Sequence, residues 1–330
     1  MEERISMVHG SGGAATSELI GAIFAKEFDS DTLNQMEDSA VVVGAQRIAV
    51  TTDSFVVTPM CYPGGTIGRL CICGTVNDLL MRGAIPKYIT CGFILQEGME
   101  VSVLQEIVHE MAQTAREAGV EIIAGDTKVV SGNGECFINT TGVGFVPEGR
   151  EVSAGRVQNG DVILASGNLG DHHATILSCR MGITNSIESD NAPLGEIVEA
   201  LFAAGVDVHT MRDITRGGLA TVLKELAVTS QTTIELQEET IPVTPQVKDF
   251  CGLLGLDPLY MGNEGKLIAV VPKEQAEQAL KAIQSAKYGA NATVIGVVSD
   301  AEAGKLYLRT KIGGLRNLEV LQGEGLPRIC

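Results

Sequence analysis

A chain of 330 residues has room for about two ordinary domains. Hydrophobic residues make up 45% and charged residues 20%, which excludes a disordered or fibrous chain and allows large buried cores. With 24 basic against 41 acidic side chains, the formal charge of −17 argues against nucleic acid or an anionic membrane as the main partner. Phosphate ligands stay open, because magnesium and backbone N–H groups hold phosphate without net positive charge. No run approaches the ~18 apolar residues of a membrane span, and the opening Met-Glu-Glu-Arg lacks a signal-peptide core, so a cytoplasmic location is expected. The 8 cysteines include no C-x-x-C pair, and several (Cys71, Cys73, Cys91, Cys251) lie in apolar runs, which fits reduced thiols.

Helix and strand patterns alternate along the chain. An apolar run at Val41-Val42-Val43 reads as a strand, and a second, Arg47 to Thr51, leads to an Asp at its end, Asp53. Between Thr66 and Ala84 a helix is apolar nearly all round, and Asp78 shares its stripe with Ile67, Cys71, Gly74 and Met81. A strand at Tyr88 to Leu95 precedes the clearest amphipathic helix, which starts at Ser102 with Gln105 as a capping box and stops at Gly119. Val120 to Ile123 then predicts a strand running into a Gly125-Asp126 turn, and Phe137 to Val146 another strand.

Pro147-Glu148-Gly149-Arg150 breaks the pattern, which places a domain boundary near 150: a first domain over 1–150 and a second over 151–312. The second predicts strands at Asp161 to Ser166, Lys266 to Val271 and Thr293 to Val298, and helices at Leu194 to Ala204, Leu219 to Ala227 and Glu274 to Ala286. From 313 to 330 periodicity fades, predicting a mobile tail that carries Cys330.

Familiar nucleotide and zinc motifs are absent: there is no G-x-x-x-x-G-K-[ST], no G-x-G-x-x-G between strand and helix, and no H-E-x-x-H. What stands out instead are carboxylates in apolar or glycine-rich settings: Glu37-Asp38, Asp53, Asp78 and Asp126. Each alone suits a turn or cap, and Asp78 suits either a metal or an ion pair with Arg69 or Arg82. Lys128 beside Asp126 reads equally as a surface ion pair. As a set, the four Asp residues match the oxygen ligands that hold magnesium on a polyphosphate.

Ordered motifs carry a resemblance. They are His9-Gly10-Ser11-Gly12-Gly13, Glu37-Asp38, Thr52-Asp53-Ser54, Pro63-Gly64-Gly65, Asn77-Asp78, Gly83-Ala84-Ile85-Pro86 and Gly125-Asp126-Thr127-Lys128-Val129-Val130. Further on come Asp213 with Thr215-Arg216-Gly217-Gly218, Asn263-Glu264-Gly265-Lys266-Leu267 and Pro327-Arg328-Ile329-Cys330. Over its full length the chain resembles the aminoimidazole-ribonucleotide synthetase (PurM-like) superfamily and, within it, the HypE family of carbamoyl dehydratases. One departure is His173, where His-Gly would be expected after Gly170-Asp171.

The resemblance implies an α+β, two-domain PurM-like fold, its N-terminal strands forming a β-barrel across a homodimer and its C-terminal domain built of sheet and helices. It implies ATP and Mg2+ as cofactors, a carbamoyltransferase (HypF) as carbamoyl donor and a HypC–HypD complex as cyanide acceptor. Cys330 would carry an S-carboxamide that ATP-driven dehydration turns into an S-cyano group, supplying cyanide for [NiFe]-hydrogenase maturation, with Lys128 and Glu264 near the amide nitrogen. ATP would meet Gly10, Ser11, Gly12, Gly13, Asp53, Asn77, Asp126, Thr127 and Arg216, and magnesium Asp38, Asp53, Asp78 and Asp126. Asp213 would either cap the helix beginning at Leu219 or touch ligand. Two alternatives remain at this point: a thiamine-phosphate kinase or selenophosphate synthetase type of enzyme, or a nucleotide-sensing thiol carrier without catalysis.

Overall fold

In the computed structural model, which describes residues 3–10, 14–36 and 39–322, the chain forms two compact units that divide after Pro147, with Leu80–Gly83 belonging to the second. The first unit opens with α1 (Ala14–Leu19), a π-helical turn Ile20–Ala25 and α2 (Lys26–Phe28). It continues through β1 (Ile48–Phe55), the small hairpin β2 (Cys61–Tyr62) and β3 (Gly65–Thr66), α3 (Ile67–Leu80), β4 (Ile85–Gln96), α4 (Val101–Ala118), β5 (Glu121–Val130) and β6 (Cys136–Phe145). Four strands form one sheet in the order β1-β6-β4-β5. Only β4 and β5 run parallel, as the intervening crossover helix α4 requires.

Helix α3 is apolar all round because it is covered on more than one side. Its Thr75 hydroxyl meets Thr140 Oγ1 on β6, Gly74 lies against the Phe55 ring, and at Gly68 an added Cβ would stand 2.1 Å from the Ile107 carbonyl of α4. Helix α4 instead buries one stripe, Leu104, Ile107, Val108 and Met111. Gly119 stops it as expected, at φ 68, with its N–H on Ala115 and Arg116 carbonyls. The expected capping box does not form: Glu100 is the N-cap, without a side-chain bond, and Ser102 already lies inside the helix.

Three local expectations give way to longer or absent strands. Val41 and Val43 are not in a strand and stand exposed. The strand expected to end before Asp53 continues to Phe55, since the ladder with β6 runs unbroken from Ile48–Phe145 to Phe55–Ile138. Gly125-Asp126 is not a turn either, because β5 stays in register with β4 as far as Val130. Gly125 serves close backbone approach there, as a Cβ would lie 2.9 Å from the Cys91 carbonyl.

The second unit comprises β7 (Val162–Ala165), α5 (Asp171–Met181), α6 (Gly195–Ala203), β8 (Thr210–Asp213), α7 (Gly218–Ser230), β9 (Thr233–Gln237), α8 (Pro245–Leu254), β10 (Leu267–Val271), α9 (Ala276–Ser285), β11 (Thr293–Ser299), β12 (Lys305–Arg309) and β13 (Leu315–Asn317). Its strands make a seven-stranded sheet, β13-β12-β9-β11-β7-β10-β8. Strands β7 and β10 are buried along their whole length, as continuous apolar runs covered on both faces should be. One core joins Ile163, Ile268 and Val270 to Leu219 and Leu223 of α7, and a smaller one seats α5 against α8 through Ala174, Leu177, Val247 and Phe250.

Asp213 does not cap α7. It ends β8 opposite Leu267, and the cap position belongs to Gly217. The segment from 313 is not loose from its start: Leu315–Asn317 pairs with β12, Leu318 is buried, Lys224 Nζ meets the Glu319 carboxylate at 2.9 Å, and Leu321 donates its N–H to Thr221 Oγ1 at 3.1 Å. Cys330 lies outside the described residues. All seven described cysteines are free, and no helix among the described residues is long and apolar enough to cross a membrane.

Burial of a polar pair marks the start of the second unit. His209 Nδ1 sits 2.8 Å from Asp161 Oδ2, which also accepts the Gln158 N–H at 2.8 Å, and both side chains are almost fully buried. Asp161→Ala strands two donors at once and is expected to lower unfolding stability by about 3 kcal/mol in urea titration, whereas a loss below about 0.5 kcal/mol would mean the pair is structurally idle.

Candidate functional site

Edge strand β5 carries a cavity of about 330 Å³, within the range of small-ligand sites. Phe24, Phe28, Met36 and Phe93 give it an apolar wall, with Phe24 and Phe93 rings 4.7 Å apart, while Gly10, Asp126, Thr127 and Lys128 supply its polar side. The structure thus gathers four of the expected site residues. Gly10 packs so tightly on β5 that a Cβ would lie 2.7 Å from the Val129 nitrogen, so only glycine fits there. Ser11, Gly12, Gly13 and Asp38 lie outside the described residues.

Strand alternation turns Thr127 inward and Asp126 and Lys128 out to the open face. Lys128 Nζ donates to both Asp126 carboxylate oxygens, at 2.6 and 2.7 Å, and Asp126 also accepts the Thr127 N–H at 2.9 Å. The lysine bond holds the Asp126 carboxyl below its ordinary range. Both partners are mostly exposed, so the pair adds little to stability and is open to exchange for a ligand's charge.

A second group lies at the seam of β1 with α3. Thr51, Asp53 and Phe55 share the strand face that packs on the helix, and Thr51 Oγ1 donates to Asp78 Oδ2 at 2.7 Å. Asp78 is half-buried, with Asn77 fully buried beside it. Neither expected arginine pairs with it: Arg69 bonds Glu117 at 3.0 Å and Arg82 is exposed. Carboxylates and a hydroxyl at this seam suit a hard cation that keeps water and phosphate in its shell. Asp126, on the other face of the sheet, is not brought to it, and the described residues contain no group of three or more metal-ligating side chains.

Glu264 occupies a different setting, in the second unit. The turn Gly262 to Lys266 is buried, and its N–H groups at 262, 263 and 264 are each held by a separate acceptor. Gly262 donates its N–H to His173 Nδ1 at 3.2 Å, Asn263 donates to the Ile214 carbonyl at 2.9 Å, and Asn263 Oδ1 accepts the Gly170 N–H at 2.7 Å. Arg216 stands exposed in the turn before α7. Burial pushes the His173 imidazole down to about 4, so at neutral pH it is uncharged and able to accept the Gly262 proton donor. The departure from the expected glycine is therefore accommodated as a cap on the Glu264 turn.

Asp171, Asp190 and Lys266 were not anticipated as part of this cluster. Burial, reinforced by the neighbouring Asp190 charge, pushes the Asp171 carboxyl up to about 6, against the opposing pull of Lys266. A sign of it was present in Gly170-Asp171-His172-His173, where charged and titratable residues open a helix that then becomes apolar.

Family models match both units: the AIR synthase related protein N-terminal domain over residues 36–146 and its C-terminal domain over 158–309. The carbamoyl dehydratase HypE of Rhodobacter capsulatus is 45% identical over 337 aligned positions, covering 100% of this chain and 99% of the relative. A crystal structure of the hydrogenase maturation protein HypE in complex with ATP superimposes with a TM-score of 0.95 at 44% identity, covering 98% of this chain and 99% of that one. The HypE–HypF complex matches with a TM-score of 0.80 at 43% identity, covering 94% and 100%.

The raised Asp171 carboxyl makes a signed prediction. Its folded value of about 6 exceeds the ordinary aspartate value of 3.8, so in this pH window the folded state binds more protons than the unfolded chain and the group's contribution falls as pH rises. Asp171→Asn removes that dependence. Relative to the parent, the variant's melting temperature should gain more at pH 7 than at pH 4, and a pH-independent difference between the two proteins would contradict the assignment.

Proposed function

Because this chain belongs to the HypE family of hydrogenase maturation proteins, within the two-domain PurM-like fold, we propose that it is an ATP-dependent carbamoyl dehydratase acting on its own Cys330. The observation that carries the reading is its full-length likeness, at 0.95 TM-score, to a HypE structure that holds ATP. The Pro-Arg-Ile-Cys sequence at 327–330 supports Cys330 as the bearer of the reacting group.

The S-carboxamide oxygen attacks the γ-phosphorus of ATP, the bond from that phosphorus to the bridging oxygen breaks, and ADP leaves. One N–H proton is lost as the O-phosphorylated imidate forms. Loss of the second proton drives the electron pair into the C–N bond, the C–O bond breaks and inorganic phosphate departs with the former amide oxygen, leaving S–C≡N. Lys128 and Glu264 are the proposed proton acceptors at the nitrogen, and a lysine that is to take a proton must first give one up, which exchange of its Asp126 partner would allow.

The cavity on β5 supports an adenine pocket, with its aromatic wall for the base and the loop Gly10, Ser11, Gly12, Gly13 for phosphate oxygens. Asn77, Asp53, Thr127 and Arg216 complete the proposed nucleotide contacts. Asp53 and Asp78, with Asp38, are the proposed magnesium ligands, and the ion would neutralise phosphate charge; Asp126, on the other face of the sheet, is not proposed with them. The chain would work in the cytoplasm, where thiols stay reduced, receiving its carbamoyl group from HypF and passing cyanide to a HypC–HypD complex. Ile48 and Val50, more than half exposed on edge strand β1, support closure of the first unit's sheet by a second copy.

After carbamoylation, Mg·ATP should remove the mass of one water from the peptide bearing Cys330 and release ADP and phosphate. Cys330→Ala should abolish this change without weakening ATP binding in calorimetry, and Lys128→Ala should keep the carbamoyl group while slowing its dehydration by about a hundredfold or more. Mass loss at another cysteine would defeat the assignment. Light scattering at micromolar concentration should give the mass of a dimer, and Val50→Lys should shift it to monomer.

A further inference from the structure

Every backbone N–H from Gly262 to Glu264 has a defined acceptor, but only one of these acceptors is charged. Glu264 donates its N–H to Asp190 Oδ1 at 3.1 Å. The Asp190 side chain is only 3% exposed, and its other oxygen lies 3.2 Å from Lys266 Nζ. Lys266 in turn donates to the Gly265 carbonyl at 3.0 Å, and its stem packs where a Cβ on Gly167 would lie 3.1 Å from Cε. Contact between the two segments is backbone to backbone: a Cβ on Gly265 would stand 1.9 Å from the Asp190 carbonyl oxygen and 2.8 Å from the Ala192 nitrogen. Such fit leaves the Glu264 backbone no freedom as long as Asp190 stays in place.

What distinguishes this contact is that its acceptor is a buried side chain at the one turn residue assigned a proton, whereas Asn263 is held by the backbone carbonyl of Ile214. At 3.1 Å the bond is no shorter than the neutral Asn263 bond at 2.9 Å, so its restraint on the Glu264 backbone comes from where the acceptor stands and not from its charge.

We propose that Asp190 is a positioning residue for the dehydration step, fixing Glu264 through its backbone N–H, with the backbone contact of Gly265 on the Asp190 segment holding it in place. The proposal rests on the reading of Glu264 as a proton acceptor. Asp190 touches neither carboxamide nor nucleotide in this role. It therefore alters how fast the carbamoyl group loses water, not whether Cys330 is carbamoylated or ATP is bound.

The test is a double-mutant cycle on the full-length chain, carbamoylated at Cys330 with cyanate and followed by intact-peptide mass after Mg·ATP. Asp190→Ala should slow dehydration about tenfold or more with ATP affinity within about twofold of the parent, while Asp190→Asn, whose amide oxygen still accepts the N–H, should stay within about threefold. In a Glu264→Gln background, Asp190→Ala should cost nothing further, because the group it positions is gone. If Asp190→Ala fails to fold by thermal melt, Asp190→Ser, too short to reach the N–H, takes its place with the same expectation. A parental rate in the folded alanine or serine variant overturns the proposal, as does a tenfold loss in Asp190→Asn or multiplication of the two effects in the double variant. A parental rate in Glu264→Gln alone overturns the assignment of Glu264 as base, and the positioning role falls with it. A slow Glu264→Gln beside a fast Asp190→Ala removes only the positioning role.

Discussion

The parallel pairing of β4 with β5 is the constraint on which the first unit depends. A crossover connection through α4 brings β5 to the sheet edge, and the pairing then holds register from Tyr88–Glu121 to Gln96–Val130 with a single bulge near Ile89. That bulge sets which side chains face which way beyond it. Past it, Thr127 and Val129 turn inward and Asp126 and Lys128 turn out, so the polar side of the cavity owes its position to backbone hydrogen bonds that none of its side chains make. Gly125 permits the close approach to Cys91, and Gly10 its own close approach to Val129. Two residues without side chains thereby fix where the charged ones stand.

In the second unit the organising cost is electrostatic. Asp171, Asp190 and Lys266 put two carboxylates and one ammonium into a largely buried space around the Glu264 turn, and burial, with the Asp190 charge second to it, raises the Asp171 carboxyl. His173 adds a neutral imidazole to the same turn where a glycine was expected, contributing an acceptor without a charge. The turn is rigid because each of its donors is answered by a different segment, α5, the Asp190 loop and the residue after β8.

Long periodic elements could be read from the residues alone. The stripe of α4 and its Gly119 stop are local properties, and the buried runs of β7 and β10 contain too little besides Val, Ile, Leu and Ala to be anything but covered strands. Errors arose where a residue has one local meaning and another in pairing. Gly125-Asp126 reads as a turn until a neighbouring strand needs the close approach, and Ser102 with Gln105 reads as a capping box until Glu100 takes the first position. The Asp126–Lys128 pair was legible from closeness in sequence alone, although the strand face that brings the two together reads in the sequence as a turn. Asp190 was not, since its partners Glu264 and Lys266 lie over seventy residues away, as the 74-residue separation of its bond to Glu264 shows.

The seating of the last described strand has a consequence for the reach of the chain beyond it. Leu318 in the core, Glu319 on Lys224 and the Leu321 N–H on Thr221 tie the chain to α7, so the distance available to residue 330 is measured from Leu321. About nine residues separate them, and a fully extended chain of that length spans at most ~30 Å. The anchor therefore sets an upper bound on distance: while the contacts with α7 hold, residue 330 lies within that radius of Leu321.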